Sequence, residues 1–306
     1  MRLVLIENFR AVFYAPFYAA SSLGAYKAEG LAVELKTAPE LGKALQAVTA
    51  GEGQVSWGGP LRVMAALDED PECGYVAFCE VVGRDPFFLV GRTPNRGFAP
   101  EQLPRWKLAA VTEVPTPLIC LQHDLRLAGV PLSTAKLARK RTMAENAAAL
   151  RASEVDVIQV FQPYAQALVE EGAGHIWYAA ASRGPTAYTT FNTTRAFLER
   201  EPDTALRLTR AMYRTLKWVA NHDGRALAEA IAGYFPDIPV ARLAACCDRY
   251  RSLGLWNRDP VPQRQGLEWL RDAMLGAGAI RTRFTYEDCV DMRFAEHVLR
   301  EDPASL

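Results

Sequence analysis

The chain has 306 residues with 35 Lys plus Arg against 35 Asp plus Glu, so its formal net charge is zero. Balanced charge removes the electrostatic case for a nucleic acid or an anionic membrane surface. No window reaches the roughly 18 apolar residues of a membrane span, so neither nucleic-acid binding nor direct membrane insertion is expected. With 50% hydrophobic and 23% charged residues, the composition is that of a soluble globular protein long enough to need two α/β lobes.

RLVLI (2–6) is a short apolar run that predicts a buried strand. The opening MRLVLIENFR lacks the apolar stretch and cleavage site of an export leader. The expectation is a cytoplasmic chain, or one whose leader was removed or lies upstream. In open α/β sheets ligands sit beyond the carboxyl ends of the strands, so Asn8, Phe9 and Arg10 are candidate ligand contacts. FYAPFYAASSLGAYKAEG then predicts a helix ending at Gly30. Helical spacing puts Phe13 and Phe17 on one face and Tyr14 and Tyr18 on the next. Phe17 and Tyr18 are expected in the core, with Phe13 and Tyr14 nearer a cleft.

LAVELKTA (31–38) predicts a second strand, and PELGKALQAVTAGEG a helix closed by Gly51. QVSWGG predicts a third strand and PLRVMAALDED a helix with Pro60 in its first turn. The turn Trp57-Gly58-Gly59 between them is the sharpest local feature. Two glycines let backbone approach a ligand closely, and Trp57 offers a flat apolar face. The alternative is a tight turn with Trp57 in the core; cleft contact is favoured. Strand–helix repeats of this kind predict parallel sheets with right-handed crossovers.

GYVAFCEVV follows, and DPFFLVGRT (85–93) reads as a crossover strand into a second lobe. The unit then restarts with WKLAAV (106–111), two helical stretches, DVIQVF (156–161), the helix QPYAQALVEEG and the strand HIWYAAA. Glu113 and Thr116 lie at the first of these strand ends. Thr116 reads as a helix N-cap that either also donates to a ligand or only caps. Glu113 either pairs with a cationic group or sits in water. Phe161, Gln162 and Tyr164 form the matching strand end, where Gln162 offers donor and acceptor and Tyr164 a ring and a hydroxyl. TAYTTFNTT (186–194) reads as the return crossover and contributes Tyr188. From Arg195 onward the pattern is helical. The expected organisation is a discontinuous lobe I (1–91 and 187–306, with the C-terminal helices) and an inserted lobe II (92–186), with a hinge and a ligand cleft between them.

No nucleophile elbow, phosphate loop or zinc helix is present. The four His, at 123, 175, 222 and 297, fall outside the strand-end loops. Six scattered Cys form no CxxC pair, so neither a zinc site nor another metal or cofactor is expected. Cys246 and Cys247 read as buried thiols, and free thiols suit a reducing compartment. An aromatic cleft dotted with polar groups and lacking a catalytic constellation favours binding over turnover. The alternative is a cytoplasmic enzyme, a decarboxylase or cofactor-precursor enzyme, relying on Glu113, Glu7 and Arg10.

APFYAASSLGAYKAEGLAVEL resembles the opening segment of the nitrate/sulfonate/taurine and thiamine-precursor binding proteins. AVTAGEGQVSWGGP and SEVDVIQVFQPYAQAL resemble two further segments of that family, in order, over roughly residues 1–200. The resemblance implies a type II periplasmic-binding-protein-like fold with a mostly parallel, helix-flanked sheet in each lobe. It also implies a monomeric solute receptor for an ABC importer, with a small aromatic, heterocyclic or sulfonate-like ligand and an ABC permease as partners. A family enzyme, the fungal thiamine-pyrimidine synthase, carries a Lys and, four residues on, a His where this chain has Gly58 and Arg62. Its Cys-rich run would fall near 183–187, where no Cys occurs, so that chemistry is not expected.

Overall fold

The computed structural model describes residues 2–138 and 141–306. Ten strands run in chain order: β1 (Arg2–Glu7), β2 (Ala32–Thr37), β3 (Val55–Gly58), β4 (Tyr75–Val82), β5 (Phe88–Gly91), β6 (Lys107–Ala109), β7 (Lys136–Leu137), β8 (Val157–Val160), β9 (His175–Ala179) and β10 (Thr189–Thr194). They form two five-stranded sheets, ordered β2-β1-β3-β10-β4 and β7-β6-β8-β5-β9. β1 is parallel to β2 and β3, and β6 to β7 and β8. In each sheet one antiparallel strand interrupts the parallel set: β10 in the first, β5 in the second. The fold is thus α/β and two-lobed, with mixed, mostly parallel sheets under flanking helices.

The second sheet begins before the expected boundary at residue 92, because β5 is one of its inner strands. Its four residues are all buried, as a strand covered on both faces must be. The outgoing crossover therefore lies at 83–87, against the returning one. Thr186 N donates to the Gly83 carbonyl (2.8 Å), Tyr188 N to Val82 (3.0 Å) and Ala180 N to Phe87 (2.9 Å).

Two predicted helices are shortened for local reasons. The one expected over 13–30 divides into a 3-10 turn (Val12–Tyr14) and helices Ala15–Ser22 and Ala25–Ala28, broken where Gly24 takes φ 74°. The one expected from Pro39 spans only Ala44–Thr49, because Gly42 adopts φ 84° and Asn8 Oδ1 accepts from Ala44 N. In the C-terminal region, helix Arg264–Gly276 packs Leu267, Leu270 and Met274 on Leu61, Val63 and Met64 of the first lobe. The outer edge of β4 is covered rather than left bare: Glu80, Val81 and the following Gly83 exchange backbone bonds with 255–260, and the Ala77 carbonyl accepts from Asp291 N. No helix among the described residues is long and apolar enough to cross a membrane.

Candidate functional site

The carboxyl ends of β1 and β3 face those of β6 and β8 across the gap between the lobes. A pocket of about 280 Å³ lies there, lined by Phe9, Arg10, Leu41, Glu113, Met143 and Phe161 among others. The lobes also touch beside it. Phe161, from the second lobe, stacks on Phe9 (6.2 Å, 11°) and meets Phe13 edge-on (5.4 Å). Phe13 meets Tyr188 of the return crossover at 5.9 Å. Such ring pairs add about 0.5–1.5 kcal/mol beyond area burial, so this seam holds the lobes together around the pocket.

Of the residues expected at the cleft, Phe9, Arg10, Glu113, Phe161, Gln162 and Tyr164 line the pocket. Several are already engaged by the protein. Arg10 bonds Glu7 twice (3.0 and 2.7 Å) and lies over the rings of Tyr18 and Tyr234. Glu113 accepts from Met143 N at 2.6 Å, holding the start of helix Met143–Arg151. One of its carboxylate oxygens is thus engaged by the protein. Tyr164 has its hydroxyl pKa raised by burial and by Glu113. The Gln162 side chain is turned inward: its Oε1 accepts from Gln166 N and the Cys246 thiol, while its Nε2 has no partner.

Phe13, Tyr14 and Tyr188 are buried in the aromatic seam. Trp57, expected at the cleft, is a core residue at 1% exposure, stacked on Phe17 at 4.5 Å. Its strand position turns the ring toward the first lobe's own helix, yet its indole N–H finds no acceptor. Asn8 is pinned at both ends, donating to the Trp57 carbonyl (3.2 Å) and accepting from Ala44 N. Both glycines make room for protein rather than leave room for a ligand. A Cβ on Gly58 would lie 2.6 Å from Asn8 Nδ2, and one on Gly59 3.2 Å from the Tyr188 carbonyl. Thr116 does not cap: helix Thr116–Leu127 begins at it, after Pro115. Glu7, a candidate base in the enzyme alternative, is fully buried and accepts from Arg10, Tyr18 and Thr37.

One residue stands out that the expected set omits. Arg62 opens helix Leu61–Glu69 at the carboxyl end of β3 and is partly buried. Its Nη1 donates to the Gly42 carbonyl at 2.8 Å. Among the described residues no carboxylate lies within ion-pair distance of it; instead burial lowers its pKa, and the phenols of Tyr14 and Tyr188 oppose that. The signal in the sequence is a lone Arg beside Leu61, Val63 and Met64 in the first turn after a strand end.

A larger and more open hollow, about 920 Å³, lies among 261–265, 286–293 and Arg195. Its charges pair with one another, Arg264 with Glu287 and Arg293 with Asp291 and Glu199, and no strand-end loop enters it. Among the described residues no cluster of His, Cys, Asp or Glu could hold a metal ion.

Residues 12–226 match the family model described as NMT1/THI5 like. YtlA of Bacillus subtilis (strain 168), described only as a candidate binding protein, is 26% identical over 96% of this chain and 89% of its own. The periplasmic aliphatic sulphonate binding protein SsuA of Escherichia coli is similar in structure, with TM-score 0.73, 13% identity, and 95% and 96% of the two chains covered. A desulfurization enzyme, DSZB, is similar over 99% of both chains, with TM-score 0.66 and 13% identity.

Proposed function

The chain belongs to the NMT1/THI5-like family, and on that premise we propose that it is the solute-binding component of an ABC-type importer, closing its lobes on a small organic anion with an aromatic or apolar body. The observation that carries the reading is Arg62. A partly buried guanidinium without a carboxylate is costly, and an arriving anion would supply the missing partner. The phenols of Tyr14 and Tyr188 beside it are buried on the same lobe. Around them the apolar seam of Phe9, Phe13, Phe161 and Tyr188 suits a flat or aliphatic body. SsuA is named for sulphonates, which have this charge. Asn8, Gly58 and Gly59 support the site from behind, whereas Phe9, Phe161, Tyr164 and Arg62 are the contacts we assign to the ligand.

The test is a thermal-shift panel of aliphatic and aromatic sulfonates, carboxylates and neutral pyrimidines, run on the parent and on Arg62→Gln. Anions should raise the melting temperature of the parent. Loss of a charge-assisted bond is worth about 1.5–3 kcal/mol, so Arg62→Gln should weaken the best anion by about ten- to a hundredfold. A neutral pyrimidine that stabilises both forms equally, with anions inert, would overturn the reading. Recovering the bound anion unchanged after long incubation separates binding from turnover.

A further inference from the structure

We propose that the contact between helix Thr116–Leu127 and helix Arg264–Gly276 is an acid-sensitive latch on lobe closure, with His123 as its titrating group. The inference rests on the reading of the chain as a closing receptor, and it concerns a face away from the ligand pocket.

Each helix is rooted in a different lobe, and they meet through Cys120 of helix Thr116–Leu127, which packs with Leu267 and Leu270. Leu121 and Leu125 pack with Leu89, Leu103 and Leu108 of the second lobe. Leu267 and Leu270 pack with Leu61 and Met64 of the first. Rotation of one lobe against the other must therefore slide the two helices past each other.

The polar contacts between them converge on one ring and one guanidinium. The buried imidazole of His123 meets the Trp269 ring edge-on at 4.8 Å. Its Nδ1 lies 2.7 Å from Arg126 Nη2. An arginine only donates, so Nδ1 is the acceptor and the neutral ring carries its proton on Nε2. The same Arg126 nitrogen reaches the Asp272 carbonyl at 3.4 Å, near the helix C-terminus, where a cation is favoured. Gly276 leaves the space: a Cβ there would lie 2.6 Å from the guanidinium. His123 thus holds Arg126 in the position from which it ties one lobe's helix to the other's.

Protonation reverses the contact. A proton taken from solvent by Nδ1 turns the acceptor into a donor facing a donor, and places two cations where a hydrogen bond stood. The other charged groups around the ring do not relieve this. Asp124 is taken by Arg183, which also bonds Asp85 and lies over Trp269. The Asp272 carboxylate is taken by Arg271 and Arg283. Burial, and then Arg126, hold the His123 pKa below its ordinary value; Asp124 and Asp272 pull it up and Arg183 down. In an opened molecule the ring returns toward the ordinary value of about 6.5. The closed state binds the proton more weakly, so the latch is complete above about pH 6.5 and is lost as the pH falls below it.

The test needs no ligand. Small-angle scattering and hydrogen exchange of 116–127 and 264–276 are measured on the full chain at pH 8 and pH 5, for the parent, His123→Gln and Arg126→Gln. The parent should expand at pH 5, and the paired helices should exchange faster there, by about tenfold for a tenfold difference in proton affinity between the open and closed forms. Gln at 123 accepts from Arg126 without titrating, so that variant should stay closed at both pH values. Arg126→Gln should be equally open at both. A parent indifferent to pH, or an acid response kept in either variant, would overturn the proposal. The anion panel at pH 8 reports on the receptor reading separately.

Discussion

Glu80 is an acid on a strand whose eight residues are all buried. Its Oε2 accepts from Asn257 Nδ2 (2.8 Å) and Gln263 N (3.0 Å), while Oε1 has no partner. Burial, with a smaller push from Asp259, raises its pKa to about 8 against the pull of those two donors. The folded state therefore keeps a proton that the unfolded chain releases above about pH 4.3. Where the folded state binds more protons, stability falls as pH rises, here between about pH 5 and pH 8. A tenfold difference in proton affinity between the folded and unfolded chain is worth about 1.4 kcal/mol. Gln at 80 keeps the accepting oxygen and removes the charge. Glu80→Gln should melt above the parent by a margin that widens from pH 5 to pH 8; a constant or negative margin in a thermal melt series would refute this. At this scale the sequence is only partly readable. The pocket-lining aromatics Phe9 and Phe161 follow from strand ends. The inward turns of Asn8 and Gln162 do not, because a side chain's direction within a turn depends on donors far along the chain, Ala44 N and the Cys246 thiol among them.

The strand-end turn after β3 shows how an element is braced from within. The sequence pattern presents Gly58 as room for a ligand, but the room is filled by Asn8, whose amide ties β3 to the loop before helix Ala44–Thr49. A methyl at 58 would fall 2.6 Å from that amide nitrogen and must displace it. Overpacking of this kind costs about 1–3 kcal/mol. Gly58→Ala should lower the urea midpoint, and Asn8→Ala combined with it should cost less than the sum of the two, since contacting residues couple. Full additivity would show that the glycine serves something else. Element types are largely legible from period and punctuation. Their extents are not: Gly24 and Gly42 take left-handed φ inside stretches whose pattern reads as continuous helix. The sheet to which β5 belongs is hidden because an apolar run looks the same in either lobe, and only its antiparallel pairing with β8 and β9 assigns it.

Across the whole molecule, a phenol from the C-terminal region ties the outgoing crossover to the second lobe. Tyr250, on helix Val240–Ser252, is fully buried and stacks near Phe88. Its hydroxyl donates to the Pro86 carbonyl in the outgoing crossover (3.1 Å) and accepts from Gln162 N at the ligand-side end of β8 (3.0 Å). The C-terminal helices, legible in sequence only as helical, thus fasten the second lobe to the crossover on which it would turn. Removing the oxygen leaves a buried carbonyl and a buried amide unpaired, at about 1–3 kcal/mol for each such group. Phe at 250 preserves the ring stack, so the loss should be confined to the hinge. Hydrogen exchange in Tyr250→Phe should quicken at 83–88 and 160–166 and stay unchanged in β1 and β3. A uniform rise over both sheets would mean that the phenol stabilises the fold as a unit and does not hold the hinge. With the hinge loosened, closure has to be driven by the ligand contacts alone. The best anion of the panel should then bind the variant more weakly while still requiring Arg62, because the cost falls on the closing motion and leaves the guanidinium where it was.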